Sequence, residues 1–300
     1  MKNNLLRLLA VALLLLCLGA TANIMAQNTG NDLASVEPIT DPHDLNFGEP
    51  VLSTETSEPP AATFYAVVER MKVLPGMWDK YLEAEKVWKK IHQQSKAKGE
   101  IMDWFLFQCL YPGGTDAPYE FITVTYYKSG KELGAPFVWA EKTKGLTPAE
   151  VEIADGAEKT RNLIDRHLYS FFNGCDQATC KPGKYLQLFA NKAKPGKTSG
   201  YEKFLEDGTA MRLEAIKSGK IQGWSIWKRV YPGSPDLETH TAVYAYESLD
   251  ALLKNSAPVD FSAEMKKVKP GQTWEDFMKQ MNELRDFAGS EMWEQVDSTQ

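Results

Sequence analysis

Gly99-Glu-Ile-Met-Asp-Trp104 and Gly219-Lys-Ile-Gln-Gly-Trp224 lie 120 residues apart and share Gly, Ile and Trp in one register. The match extends in both directions. Tyr65 aligns with Tyr185, Pro75-Gly76 with Pro195-Gly196, and Tyr81 with Tyr201. Downstream, Tyr111-Pro-Gly113 aligns with Tyr231-Pro-Gly233 and Tyr126 with Tyr246. Further on the offset becomes 124, where Arg161 meets Arg285, Leu168 meets Met292 and Tyr169 meets Trp293. A net insertion of four residues in the second half accounts for the slip. Self-similarity at a fixed period fixes the organisation of a chain before any element is assigned, and here it predicts one unit written twice.

Each copy reads the same way. Thr63 to Lys72 and Lys184 to Ala193 are β-rich runs closed by Pro-Gly. A helix follows; in the first copy Trp78, Tyr81, Leu82, Trp88 and Ile91 fall near the spacing of one buried face. Gly99 and Gly219 stand where a helix end favours φ > 0. Ile101 to Tyr111 and Ile221 to Tyr231 are strands, turned by Pro112-Gly-Gly114 and Pro232-Gly-Ser-Pro235. Tyr119 to Tyr127 and Glu238 to Tyr246 return. A second helical region is expected over Thr147 to Arg166 and Thr273 to Phe287, then a short strand over His167 to Asn173 and Glu291 to Asp297.

The order β-α-β-β-α-β puts both helices of a copy on one face of its sheet. Both faces of Ile101 to Tyr111 are mostly apolar, so the other face must also be covered. The economical arrangement is α+β, with two tandem ferredoxin-like modules packed sheet to sheet around a shared interior. The strand ending Lys-x-x-Pro-Gly, the helix with an early Tyr, the Gly-x-Ile-x-x-Trp segment and the Pro-Gly hairpin resemble the dimeric α+β barrel superfamily. The resemblance covers about 61 to 300 and implies a pseudo-dimer within one chain, able to exist as a monomer. Members of that superfamily include antibiotic-biosynthesis monooxygenases, EthD-like and stress-responsive barrel proteins, and chlorite dismutase-like proteins with two modules per chain. The shared motifs are structural, so they imply fold rather than activity.

The expected domains are a signal peptide (1–26), an acidic linker (27–60), a first module (61–175) and a second (182–300). Lys2 and Arg7 precede the apolar run Leu8 to Leu18, and small residues follow it, as in a secretory signal. Cleavage is expected after Ala26, with Ala22 as the alternative. Leu16 before Cys17 argues against a lipid anchor. No other run is long and apolar enough to span a bilayer, so a periplasmic or secreted protein is expected. The formal charge is −6. Without Lys2 and Arg7 it is −8, and without the seven acids of 27–60 the remainder is about −1. A balanced core has no basic face for nucleic acid.

Four residue sets are candidates for chemistry. Cys175 and Cys180 flank a short polar segment and suit a disulfide in an oxidising compartment. Trp104 and Trp224 occupy equivalent positions, where they either line a pocket for an aromatic ligand or plug a core at the pseudo-twofold centre. Asp103 and Arg229 are charged residues within otherwise apolar strands, and each has a different residue in the other copy, Gly223 and Cys109. His167 is the histidine to test for a haem, because a haem-using relative would need an axial ligand. No metal is expected, and no cofactor either unless that haem is present. His92, opposite Arg212, has no counterpart and reads as structural. A further mismatch is Trp88/Gly208.

Three functions follow as expectations. The first is an exported barrel binding a small apolar or aromatic ligand in its interior. The second is a cofactor-independent, monooxygenase-like enzyme acting on an aromatic substrate. The third is a structural envelope protein with a filled barrel. A hollow interior would separate the first two from the third.

Overall fold

A computed structural model of the chain describes residues 64–175, 183–255 and 260–300. The expected signal peptide and the whole acidic linker fall outside the described residues, as does Cys180. The first module runs β1 (Tyr65–Val73), α1 (Trp78–Ala97), β2 (Asp103–Tyr111) and β3 (Phe121–Tyr127). It continues through two short helices, α2 (Gly130–Leu133) and α3 (Trp139–Lys142), then α4 (Pro148–Asp155) and β4 (Arg161–Gly174). The second runs β5 (Tyr185–Ala193), α5 (Thr198–Asp207), α6 (Thr209–Lys217), β6 (Gly223–Tyr231) and β7 (His240–Tyr246). It ends with α7 (Leu249–Asn255), α8 (Ser262–Val268), α9 (Trp274–Leu284) and β8 (Arg285–Ser298).

The eight strands close into one barrel in the order β1-β3-β2-β8-β5-β7-β6-β4. The fold is therefore the two-module α+β barrel. The modules are joined by their last strands. β4 pairs with β1, with Val68 opposite His167, and with β6, with Tyr169 opposite Arg229. β8 pairs with β5, with Leu186 opposite Trp293, and with β2, with Cys109 opposite Trp293. Both strands are 14 residues long, which corrects the short final strands expected from sequence. In the first copy the α-helix ends at Asp155 and a 3-10 turn runs to Lys159; in the second the helix ends at Leu284. The segment Arg161-Asn-Leu-Ile-Asp-Arg166 could serve either element. Its backbone groups are satisfied by the free edge of β1, where Leu163 faces Met71.

Strand alternation divides the aromatic residues between two compartments. Phe107, Cys109, Ile122, Val124, Tyr169, Leu188 and Trp293 point into the barrel and form one buried cluster. Trp104, Leu106 and Phe121 point outward from the first sheet, under α1. Trp224 and Ile226 do the same from the second sheet, under α5 and α6. Gly99 and Gly219 carry φ of 73° and 74°, each where the preceding helix hands over to a strand.

The barrel interior is nearly full. Its cavity, bounded by Val68, Arg70, Val124, Leu188, Trp227 and Trp293 among others, measures about 60 Å³. An apolar cavity that admits benzene is on the order of 150 Å³. An aromatic ligand in the interior, as the first expectation had it, is too large for this space. Trp104 and Trp224 are likewise not plugs at the barrel centre, because both lie on the outer faces.

Candidate functional site

The large cavity lies outside the barrel, between the first sheet and α1. It measures about 560 Å³, within the roughly 300–1,000 Å³ of small-molecule sites. Its floor is the outward face of β1, β2 and β3, including Val67, Met71, Trp104, Thr125 and Tyr127. Its roof is one face of α1. Glu85, Trp88, His92 and Ser95 follow the spacing i, i+3, i+7, i+10, which places them on one helical face, and all four border the cavity. The segment between β3 and α4 forms a rim, where Phe137, Trp139 and Trp88 lie within 6.3 Å of one another, centroid to centroid.

Two aromatic rings define the cavity's stacking wall. His92 lies against Trp104 with centroids 5.1 Å apart and planes 12° apart. Burial, with Lys142 as a smaller cause, pushes the His92 pKa down to about 3. The imidazole is therefore neutral at physiological pH, and neither ring nitrogen has a hydrogen-bond partner among the described residues. Lys142 itself is engaged, donating to Ser95 Oγ at 2.9 Å and pairing with Glu100.

The polar end of the cavity is built around Glu85, which is only 4% exposed. Burial pushes its carboxyl up to about 7, against the smaller opposing effects of Arg161 and Tyr81. Arg161 Nε stands 3.9 Å from Glu85 Oε1, too far for a hydrogen bond. Two shielded donors on residues that line this cavity, Arg161 Nε and Trp88 Nε1, have no hydrogen-bond partner among the described residues. Unpaired buried polar atoms are rare in native proteins.

Among the described residues, the equivalent space of the second module is packed. In place of Glu85, Trp88 and His92 stand Leu205, Gly208 and Arg212. The Arg212 side chain folds inward, donating from Nε to Tyr244 Oη at 3.1 Å and from Nη1 to the Leu205 carbonyl at 3.0 Å. Its guanidinium lies 4.9 Å over the Trp224 ring. A Cβ at Gly208 would meet Arg212 Nη1 at 2.7 Å. Glycine thus makes the room that arginine fills, and Trp224 lies in a closed core with Phe204, Phe261 and Phe277.

The other sequence candidates lie elsewhere. His167, Tyr169 and Arg229 meet inside one end of the barrel. Arg70 Nη1 donates to Asp165 at 3.1 Å and to His167 Nδ1 at 2.9 Å. Tyr169 donates to Glu238 at 2.8 Å, and Arg229 pairs with the same carboxylate. Burial and then the cations Arg229 and Arg70 push His167 down to about 4. The 60 Å³ interior cavity has no room for a macrocycle, and His167, whose Nδ1 accepts from Arg70, is not among the residues that line it. Asp103 borders neither cavity. It accepts from Lys96 Nζ and Thr299 Oγ1, each at 2.7 Å, and so ties down the C-terminus. Cys175 is disulfide-bonded. Among the described residues no group of three or more His, Cys, Asp or Glu could hold a metal ion, and no helix is long and apolar enough to cross a membrane.

No family model matches this chain, and no curated protein matches it either. Solved structures similar to it include an anthrone oxidase-like protein, at 11% identity and a TM-score of 0.45, covering 80% of this chain and 93% of the other. A candidate monooxygenase from Fusobacterium nucleatum is 9% identical with a TM-score of 0.47, covering 80% and 95%. A chlorite dismutase variant from Candidatus Nitrospira defluvii is 9% identical with a TM-score of 0.45, covering 80% and 93%. At these values the similarities assign no activity to this chain.

Proposed function

We propose that this is an exported protein that binds a small planar aromatic molecule in the outer cavity of its first module. The observation that carries the reading is one-sidedness. Equivalent helices cover equivalent sheets, yet one leaves about 560 Å³ and the other closes its space with Arg212 over Trp224. The stacked faces of His92 and Trp104 suit a flat ring, since aromatic pairs prefer offset or tilted contact over several ångströms. The basic and apolar N-terminal segment supports export.

Titration of the full chain with 2-naphthol, followed by tryptophan fluorescence, tests this. Saturable quenching is expected in the wild type, and its loss in Trp88→Gly/His92→Arg, which installs the residues of the second module. Quenching that is absent in the wild type, or unchanged in the variant, would overturn the proposal.

A second reading, a monooxygenase-like enzyme working without a tightly bound cofactor, is favoured by one observation. Glu85 is a buried carboxyl at the cavity wall whose pKa lies near neutrality, as a general acid or base requires. Dioxygen consumption in the presence of electron-rich hydroxyarenes, and its absence in Glu85→Gln, is the corresponding measurement.

A further inference from the structure

We infer that residues 129–146, between β3 and α4, form a lid on the outer cavity of the first module, latched by Lys142 on Ser95 and Glu100. The inference goes beyond the binding reading above. It concerns how the cavity opens, and it holds for any occupant.

Glu132, Leu133, Ala135, Pro136, Phe137 and Lys142 of this segment line the cavity. None of residues 129–146 is buried, and Phe137 and Val138 are exposed. Among the described residues, the backbone hydrogen bonds of 129–146 close within the segment, such as Gly134 N–H to the Gly130 carbonyl and Thr143 N–H to the Trp139 carbonyl. A segment with few buried contacts and only local backbone bonds opens at low free-energy cost. Its attachment is by side chains. Phe137 and Trp139 lie against Trp88. Lys142 donates to the buried Ser95 Oγ at 2.9 Å, pairs with Glu100 and lies 5.6 Å from the Phe137 ring centre. The lysine side chain is only 14% exposed, so these partners replace much of its hydration while the lid is shut. Gly145, at φ 88°, turns the chain into the Thr147 cap of α4 and supplies the hinge at that end.

The same connection in the second module is fixed. Leu252, Phe261 and Met265 from it are buried in the core of that module. Its ion pair has the opposite polarity. Lys220, the counterpart of Glu100, pairs with Glu264 at 2.7 Å and donates to the Asp260 carbonyl at 2.7 Å. Asn255 Nδ2 donates in turn to the Lys220 carbonyl at 3.3 Å. Each copy thus ties this connection to the residue after the helix-ending glycine through one lysine–glutamate pair. Only the second adds buried apolar side chains. The connection beside the open cavity is the one left on a polar latch.

Thiol labelling of the full chain carrying Thr125→Cys tests the lid, because Thr125 is 7% exposed and lies on the cavity floor. Adding Lys142→Met should speed labelling by about tenfold, the scale of a lost charge-assisted hydrogen bond. Hydrogen–deuterium exchange should rise over 129–146, since four-residue helices do not hold their amides once detached, and stay unchanged over 248–268. The reversed pair Lys142→Glu/Glu100→Lys, which installs the polarity of the second module, should return both readouts towards the wild type. Unchanged labelling in Lys142→Met would overturn the lid. Exchange that rises equally over 248–268 would mean general loosening and would overturn it too. No recovery in the reversed pair would overturn the latch. Neither readout uses an aromatic ligand, so this inference and the binding reading fail separately.

Discussion

The imidazole of His92 and the indole of Trp104 lie nearly parallel, 5.1 Å between centroids, with a 560 Å³ cavity beside them. One ring comes from α1 and the other from β2, so the pair fixes the separation of roof and floor. Their counterparts, Arg212 and Trp224, hold the same two elements in the second module as a guanidinium over an indole. The helix differs between the copies at three positions of this face, 85/205, 88/208 and 92/212, while the surrounding scaffold keeps its register.

His92 should remain neutral far into acid. Its pKa lies near 3 in the folded protein against about 6.5 in an unfolded chain. The unfolded state therefore takes up a proton between those values and the folded state does not, so this group makes stability fall as pH drops from about 6.5 towards 3. Histidine side-chain NMR of the full chain should show no His92 titration above pH 4. A midpoint near 6.5 would mean that the ring is open to water.

Glu85 acts in the opposite sense. Burial raises its folded pKa to about 7 from the ordinary 4.5. The stability associated with its neutral form is fully present below about 4.5 and is lost as pH rises through about 7. Glu85→Gln removes that loss. Thermal denaturation at pH 8 should show the variant more stable than the wild type by up to about 3 kcal/mol, with little difference near pH 4.5. Equal stability at pH 8 would place the carboxyl in a wetter environment than its burial indicates. Such a stabilising loss of a polar group is the behaviour expected of a functional site.

The fold was legible in the sequence because its punctuation is local. Pro75-Gly76, Gly99 and Pro112, with their counterparts at 195, 219 and 232, mark turns and helix ends through φ preferences that no distant contact alters. The length of β4 and β8 was not legible. Whether Arg161 to Arg166 continues a helix or a strand depends on the edge that β1 offers, which is a non-local property. The site was half legible. Trp104 stood out through its match with Trp224, and Trp88/Gly208 and His92/Arg212 stood out as mismatches. His92 was read as structural because one unmatched histidine carries no pattern. Glu85 was missed altogether. Flanked by Glu83 and Lys86, it looks solvated, and only its spacing from Trp88 and His92, with Leu205 opposite, points to a shared face.

The barrel interior should behave as packing rather than as a binding site. Ile122 is fully buried there. Ile122→Ala should cost about 2–5 kcal/mol of unfolding free energy in urea and leave 2-naphthol affinity unchanged. A variant that loses the probe while keeping its stability would shift the site into the barrel.

Arg229 should prove structural. Its side chain is 4% exposed and paired with Glu238. Glu238→Ala strands a buried cation and should destabilise by about 3–5 kcal/mol. Arg229→Met in the same chain should restore much of that loss, and neither change should alter 2-naphthol binding. No recovery in the double variant would mean that Arg229 is held chiefly by other groups.

The most direct measurement is the crystal structure of the full chain with 2-naphthol bound. The ring should lie beside His92 and Trp104, between α1 and the first sheet. Density for the ring inside the barrel among Val68, Val124 and Leu188, or beside Trp224 in the second module, would contradict the account.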